Sequence, residues 1–219
     1  MDFKKTFHDL TTDPYFKKRT LMTVLGVLTG GFAVGLFKTS ALGVDPFQVL
    51  CNGINAVIPI TFGTLYMFIN IVLLIAMFFA DKHYIGLGTL INLFLLGYMV
   101  DFSEHLWTSI FPDPSLPVQL ALLLVAVVII CISSALYFTA DMGVSTYDIW
   151  ALLLDNKTRF PFKLIRICTD LLCVIVGFAL MGFKTSGVLG IGTIITAFFM
   201  GPLIDFFNRT IARPMLYGK

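Results

Sequence analysis

"GLGTLINLFLLGYMVDF" occupies residues 86–102, and "GIGTIITAFFMGPLIDF" occupies residues 190–206. Aligned without gaps, eight of the seventeen positions are identical: Gly86/Gly190, Gly88/Gly192, Thr89/Thr193, Ile91/Ile195, Phe94/Phe198, Gly97/Gly201, Asp101/Asp205 and Phe102/Phe206. Apolar composition alone does not align three glycines, a threonine and an aspartate, so the chain reads as an internal repeat. A second match lies upstream, at an offset of 100 residues. "ALGVDPFQVLCNGI" (41–54) aligns with "DMGVSTYDIWALLL" (141–154). Gly43 and Val44 fall on Gly143 and Val144, Phe47 on Tyr147, and Gln48 on Asp148. At the same offset Phe62 falls on Phe162 and Asn70 on Asp170.

What the repeat is made of follows from composition. Of 219 residues, 58% are hydrophobic and 13% charged, whereas a soluble domain carries about 25% charged residues. The chain therefore reads as an integral membrane protein whose first partner is the lipid bilayer. No nucleic-acid partner is expected. The first twenty residues are polar, and the apolar run after them is too long for a signal-peptide core, so the first span is expected to stay in place.

A spanning helix needs about 20 mainly apolar residues. Six segments qualify: 20–37, 61–80, 85–103, 118–138, 162–183 and 188–207. Two shorter pieces, 45–57 and 146–155, fit re-entrant or interfacial helices better than spans. Each half then reads as span, short helix, span, span. Three crossings is an odd number, so the second half enters from the opposite side. The expectation is an all-α polytopic fold of two inverted-topology repeats of about 100 residues, with a site where the repeats meet. Its divisions are a cytoplasmic tail at 1–19, repeat 1 at 20–111, repeat 2 at 118–208 and a cytoplasmic tail at 209–219. With both termini inside, all Lys and Arg except Lys38 and Lys184 lie on the cytoplasmic side, as the positive-inside rule requires. A rival arrangement, in which both short helices cross, gives eight spans and parallel repeats. It moves only Lys82, so charge does not exclude it.

Asp45 is a good N-cap, with Pro46 at the first helical position. Ser145 is its counterpart before Thr146. A helix beginning within the membrane aims free N–H groups and a positive dipole end at what lies there. Irregular backbone at that depth survives only inside protein or along a wet cavity. Two readings stand: half-helices flanking a solute path, or interfacial helices sealing the bundle ends.

Asp170 lies about two turns into the fifth span, with Arg166 one turn earlier on the same face. Either the pair lines a polar cavity and binds solute or a coupling cation, or Arg166 snorkels to the headgroups with Asp170 as its counter-ion. Asn70 is the neutral counterpart in the first half. Asp148 in the second short helix is expected to face the same cavity, with Gln48 as its neutral counterpart. Asp101 and Asp205 fit interfacial positions near helix ends. Gly88, Thr89, Gly192 and Thr193 belong to the repeated G-x-G-T starts, which suit close packing against a short helix. They do not follow a strand, so they are not phosphate loops. Gly26, Gly30, Gly31 and Gly35 form overlapping small-xxx-small patterns, for packing within the bundle or for a dimer face.

The four cysteines lie in apolar segments without metal spacing and read as small hydrophobes. His8, His83 and His105 are scattered. No metal, no cofactor and no enzymatic constellation is expected.

The motif L-G-x-x-x-(aromatic)-(Asp), here Leu42, Gly43, Phe47 and Gln48, with G-x-G-T…G-x-x-x-D-F, resembles the YczE/YyaS/YitT group of bacterial integral membrane proteins. Gln48 departs from the acidic residue of that pattern, and Asp148 keeps it. The chain ends at Lys219 without the soluble domain of the YitT-type branch, so it looks like the YczE-type branch. The resemblance implies a bacterial cell membrane and a multi-pass fold. Transport is commonly supposed for such proteins. The function expected is a transporter or channel for a small solute or ion. The alternative is a membrane-embedded binding subunit or regulatory scaffold of a larger complex. A homo-oligomer is compatible with either.

Overall fold

The glycine-rich first helix sits between two others. In a computed structural model, which describes residues 14–80, 85–143, 145–147, 150, 154, 162–183 and 187–218, all regular structure is helical. The helices are α1 (Phe16–Ser40), α2 (Pro46–Val57), α3 (Phe62–Ala80), α4 (Leu87–Ile110), α5 (Leu116–Ala140), α6 (Phe162–Leu180) and α7 (Ile191–Phe207). A π-helical turn (Asn208–Ala212) joins α7 to α8 (Arg213–Tyr217). Thr146, Tyr147, Trp150 and Leu154 are helical. The rest of the second short segment, including Asp148, lies outside the described residues.

Gly26 and Gly30 of α1 meet α5: a Cβ at Gly30 would fall 2.6 Å from Ser133 Oγ. The Ser133 hydroxyl donates to the Gly26 carbonyl at 2.7 Å. Gly31 and Gly35 meet α4, at Met99 and Ser103, and the Ser103 hydroxyl donates to Phe32 O at 2.8 Å. The glycine stripe of α1 therefore packs within the bundle. Contacts rise together along α1 and α4, which run parallel, and in opposite order along α1 and α5, which run antiparallel. The Arg19 guanidinium donates to Ala140 O at 3.0 Å and so closes the end of α5.

Among the described residues, four helices are long and apolar enough to cross a bilayer: α1, α3, α5 and the α7–α8 run. The apolar part of α6 is shorter, Ile167–Leu180. α4 is nearly as long as α1 but carries Asn92, Asp101 and Glu104. Large apolar side chains stand exposed at helical spacing, such as Phe68, Val72, Ile75 and Phe79 on α3 and Leu120, Leu124 and Val128 on α5. In water such a surface would be a liability; in hydrocarbon it costs nothing. The chain is an integral membrane protein.

Two tail boundaries shift. α1 already begins at Phe16, inside the expected 1–19 tail. The 209–219 tail is helical through Tyr217, because Ala212 and Leu216 bury fully against Met22, Ala135, Leu136 and Ala140.

The repeated motifs do one job twice. α1 ends at Ala41 (φ 53°) and α5 at Asp141 (φ 51°), both left-handed. Each bend is followed by a glycine with positive φ, Gly43 (109°) and Gly143 (119°). Leu42 O then accepts from Gly192 N at 2.7 Å, and Met142 O accepts from Gly88 N at 2.6 Å. Each loop thus lies in the G-x-G-T start of the other stretch. A Cβ at Gly190 would fall 2.4 Å from Leu42 O, and one at Gly86 would fall 2.3 Å from Met142 O. Thr89 and Thr193 accept from Gly86 N and Gly190 N at 3.3 and 3.4 Å.

Candidate functional site

The first turn of α2 faces Tyr147 of the second short segment. Asp45 caps α2 as its sequence position suggests: its carboxylate accepts from Gln48 N at 3.1 Å, and Pro46 takes the first helical position. One residue on, the Phe47 ring stacks on the Tyr147 ring, with centroids 4.5 Å apart and planes 16° apart. These are the two aromatics that the 100-residue offset pairs in sequence.

The second short segment is tied to α3 and α6. Thr146 Oγ1 donates to Asn70 Oδ1, and the Asn70 amide donates to Tyr66 O at 2.7 Å within α3. The Tyr147 hydroxyl donates to Asp170 Oδ1 on α6 at 2.6 Å. α2 is held to α6 by a glycine crossing, where a Cβ at Gly53 would fall 2.5 Å from Gly177 O.

A cavity of about 570 Å³ lies beside these first turns. Its walls include Asp45, Phe47, Gln48, Ser145, Tyr147 and Asp170. Gly30 and Val34 from the middle of α1, and Ile130 and Ser133 from the middle of α5, complete its depth; Thr196 and Met200 of α7 close one side. Among the described residues, two polar atoms in this wall are buried without a hydrogen-bond partner: Gln48 Oε1 and the Tyr137 hydroxyl. An unmet buried polar group costs about 1–3 kcal/mol, so both atoms favour something that enters the cavity.

Of the residues singled out from sequence, Asp170, Gln48, Asp45 and Ser145 line this cavity together. Asn70 sits one hydrogen bond behind it. Asp148 lies outside the described residues. Arg166 is on α6, one turn before Asp170, and its side chain lies outside what the structure describes. Gly88, Thr89, Gly192 and Thr193 are elsewhere, in the paired loop contacts. Asp101 accepts from Gly63 N at 2.7 Å, capping α3, and Asp205 pairs with Arg209 at 2.8 Å on the surface. Asp101 lies inside α4, which runs on to Ile110, and Asp205 near the end of α7.

Sequence reasoning missed Tyr137, Tyr66 and the tie from Thr146. One signal was present: Ser133 and Tyr137 are polar positions four apart in the otherwise apolar middle of α5, so they share a helix face. Thr146 had none, because its partner Asn70 is remote in sequence.

A family model described as a family of unknown function, DUF6198, matches residues 17–209. An uncharacterized protein of Haemophilus influenzae is 26% identical over 204 residues, covering 93% of this chain and 88% of the relative. The uncharacterized protein YyaS of Bacillus subtilis is 26% identical, covering 88% of this chain and 93% of its own. The uncharacterized membrane protein YczE of the same organism is 24% identical over 83% of this chain and 81% of its own. No solved structure matches. The resemblance drawn from the motifs is borne out for the YczE- and YyaS-like proteins.

Proposed function

As the chain belongs to DUF6198, a family of unknown function, its activity has to be read from its own geometry, and we propose that it is a membrane transporter or channel for a small solute. One observation carries this reading. A cavity of solute size lies between the first turns of two short helices, deep in the bundle, with carboxylates and unmet polar atoms in its wall.

The architecture that goes with it is six spans and two re-entrant helices, arranged as two inverted halves with both termini in the cytoplasm. Its supports are the reciprocal loop contacts and the stacking of Phe47 on its own repeat counterpart Tyr147. Residues that meet their own counterparts lie on an axis relating two halves, and transporter sites sit at such axes. A bacterial cell membrane fits the bacterial relatives, one of which is named a membrane protein. Asp148 is assigned to the same path by its place beside Tyr147 in sequence.

The test is flux into proteoliposomes holding the purified full chain. Radiolabelled amine, amino-acid and nucleoside tracers are offered singly. One class is expected to equilibrate faster than in protein-free vesicles, and to be slowed by Asp170→Asn and Asp148→Asn in protein that still melts as wild type. If no class crosses faster than in empty vesicles, or if both variants leave the flux unchanged, the reading fails.

A further inference from the structure

The two halves of the repeat differ at one seam. Gly97 of α4 and Gly201 of α7 are counterparts, and so are Asp101 and Asp205. In the first half the seam is shut. A Cβ at Gly97 would fall 2.8 Å from Gly63 O on α3, and Asp101 accepts from Gly63 N at 2.7 Å. In the second half it is open. Gly201 is exposed, and apart from its chain neighbours a Cβ there meets nothing within 4 Å. Asp205 pairs instead with Arg209, one turn on. α3 packs along α4, whereas α6 packs along α2 and makes no comparable contact with α7 among the described residues. The sequence supplies a reason. The offset that sets Phe62 on Phe162 sets Gly63 on Lys163. A Cβ at Gly63 would fall 2.6 Å from Asp101 Oδ2 and 2.9 Å from Gly97 O, so a residue with a side chain cannot close the seam as glycine does.

The cavity lies at this gap. Ala197, Met200, Gly201 and Ile204 line it from α7, and Asp170 lines it from α6. Ala197 and Gly201, one turn apart, are also exposed on the outer surface, as is Phe138 of α5. Residues that both line a cavity and face outward mark its mouth. The flanks are hydrocarbon, with Leu164, Ile167 and Leu171 exposed on α6 and Ile194 and Phe198 exposed on α7. Depth decides what lies outside. Gly201 is ten residues past Ile191, the start of the α7–α8 run, which is about 15 Å of helix. The hydrocarbon of a bilayer is about 30 Å thick, so the mouth faces acyl chains and not headgroups. An unfilled gap there would forfeit the dispersion contacts of its lining.

We infer that the cavity opens sideways into the bilayer between α6 and α7, and that the acyl chain of a membrane lipid enters there. The chain passes Ala197 and Gly201 and lies along the apolar wall toward Val34 and Ile130. It satisfies no polar group, so Gln48 and the Tyr137 hydroxyl are left for a solute. The inference therefore stands apart from the transporter reading.

The test places the full chain in phosphatidylcholine vesicles that carry a small share of phosphatidylcholine with a diazirine in mid-chain. Photolysis attaches the chain to whatever it touches, and peptide mass spectrometry maps the attachment. Phe198, on the outer face, should be labelled in any case. Val34, 3% exposed but in the cavity wall, should be labelled too, along with Ile130. Val100, 0% exposed and outside that wall, should not. Ala197→Phe and Gly201→Leu put bulk in the mouth. Each should lose the labelling at Val34 and Ile130 and keep it at Phe198, in protein that melts near wild type. The assignment is overturned if Phe198 is labelled and Val34 and Ile130 are not. It is equally overturned if Val100 is labelled as strongly as Val34, or if both folded variants keep the interior labelling. Interior labelling without tracer flux sinks the transporter reading alone, and flux without interior labelling sinks this inference alone.

Discussion

Replacing Gly53 by alanine tests whether α2 is pressed backbone to backbone against α6. In an open helix the substitution should help, because alanine is about 0.8–1.0 kcal/mol more favourable than glycine. Here the added Cβ would lie 2.5 Å from Gly177 O and 2.6 Å from its Cα. Carbon and carbonyl oxygen normally approach to about 3.3 Å, so the helices must part by most of an ångström. Both offending atoms are backbone, and no side chain can swing aside. Overpacking of this kind costs about 1–3 kcal/mol. With unyielding neighbours the upper half of that range applies, and the net loss is about 1–2 kcal/mol after the propensity gain. For a chain of this size that lowers Tm by roughly 2–8 °C. Gly201→Ala is the control. Apart from its chain neighbours a Cβ there meets nothing within 4 Å; the propensity gain is offset by contact with the ring of the following Pro202, so Tm should change little. The assay is thermal unfolding of both variants in one detergent, followed by tryptophan fluorescence. The reasoning is refuted if Gly53→Ala melts at or above wild type, or if the two variants shift alike.

The remaining predictions concern charge and topology. Lys38 Nζ lies 2.5 Å from Glu104 and 3.8 Å over the Phe62 ring, with its side chain 9% exposed against 40% for Glu104. Glu104→Gln should cost about 1–2 kcal/mol, between the values for exposed and buried pairs. Lys38→Met/Glu104→Gln should lose less than the sum of the two single losses; strictly additive losses would show that the pair is not coupled. On a cysteine-free background, Asn55→Cys should react with a membrane-impermeant maleimide from outside. Asn156→Cys, at a position outside the described residues, should react only from inside. Labelling of both from one side would replace inverted halves with parallel ones.

The elements were legible where their cause is local. Pro46 behind Asp45 announces a helix start, and the structure has the cap there. Apolar length placed α1 through α7 to within a few residues in most cases. α4 overran its expected end by seven residues, to Ile110 rather than 103. The sequence turns polar at Glu104 and His105, but Glu104 is matched by Lys38 across the bundle. The cavity was half legible. Gln48 and Asp170 were found because a repeat aligns them with other polar residues. Tyr137 was not, because a tyrosine in an apolar run passes for core until its hydroxyl is seen to lack a partner. The G-x-G-T glycines were legible as close packing. What they pack against was not, since each partner loop is remote in sequence.

The two kinds of contact that join the halves differ in how readily they yield. In the loop contacts, Gly88 N and Gly192 N are bonded to Met142 O and Leu42 O, in places where even a Cβ does not fit. Parting either contact strands a backbone amide and a carbonyl away from water, at about 1–3 kcal/mol for each group. The Phe47–Tyr147 stack is an aromatic pair, worth about 0.5–1.5 kcal/mol beyond its buried area. It involves no backbone bond, and Tyr147 keeps its hydrogen bond to Asp170 only while the ring stays in place. On the transporter reading proposed above, the least costly opening of the cavity therefore separates the rings and leaves the loop contacts as pivots. Tyr147 moves in that opening and holds Asp170 in the closed state, so a solute that competes for the Asp170 carboxylate loosens the stack as it binds. In that arrangement occupancy and opening are coupled through one hydroxyl.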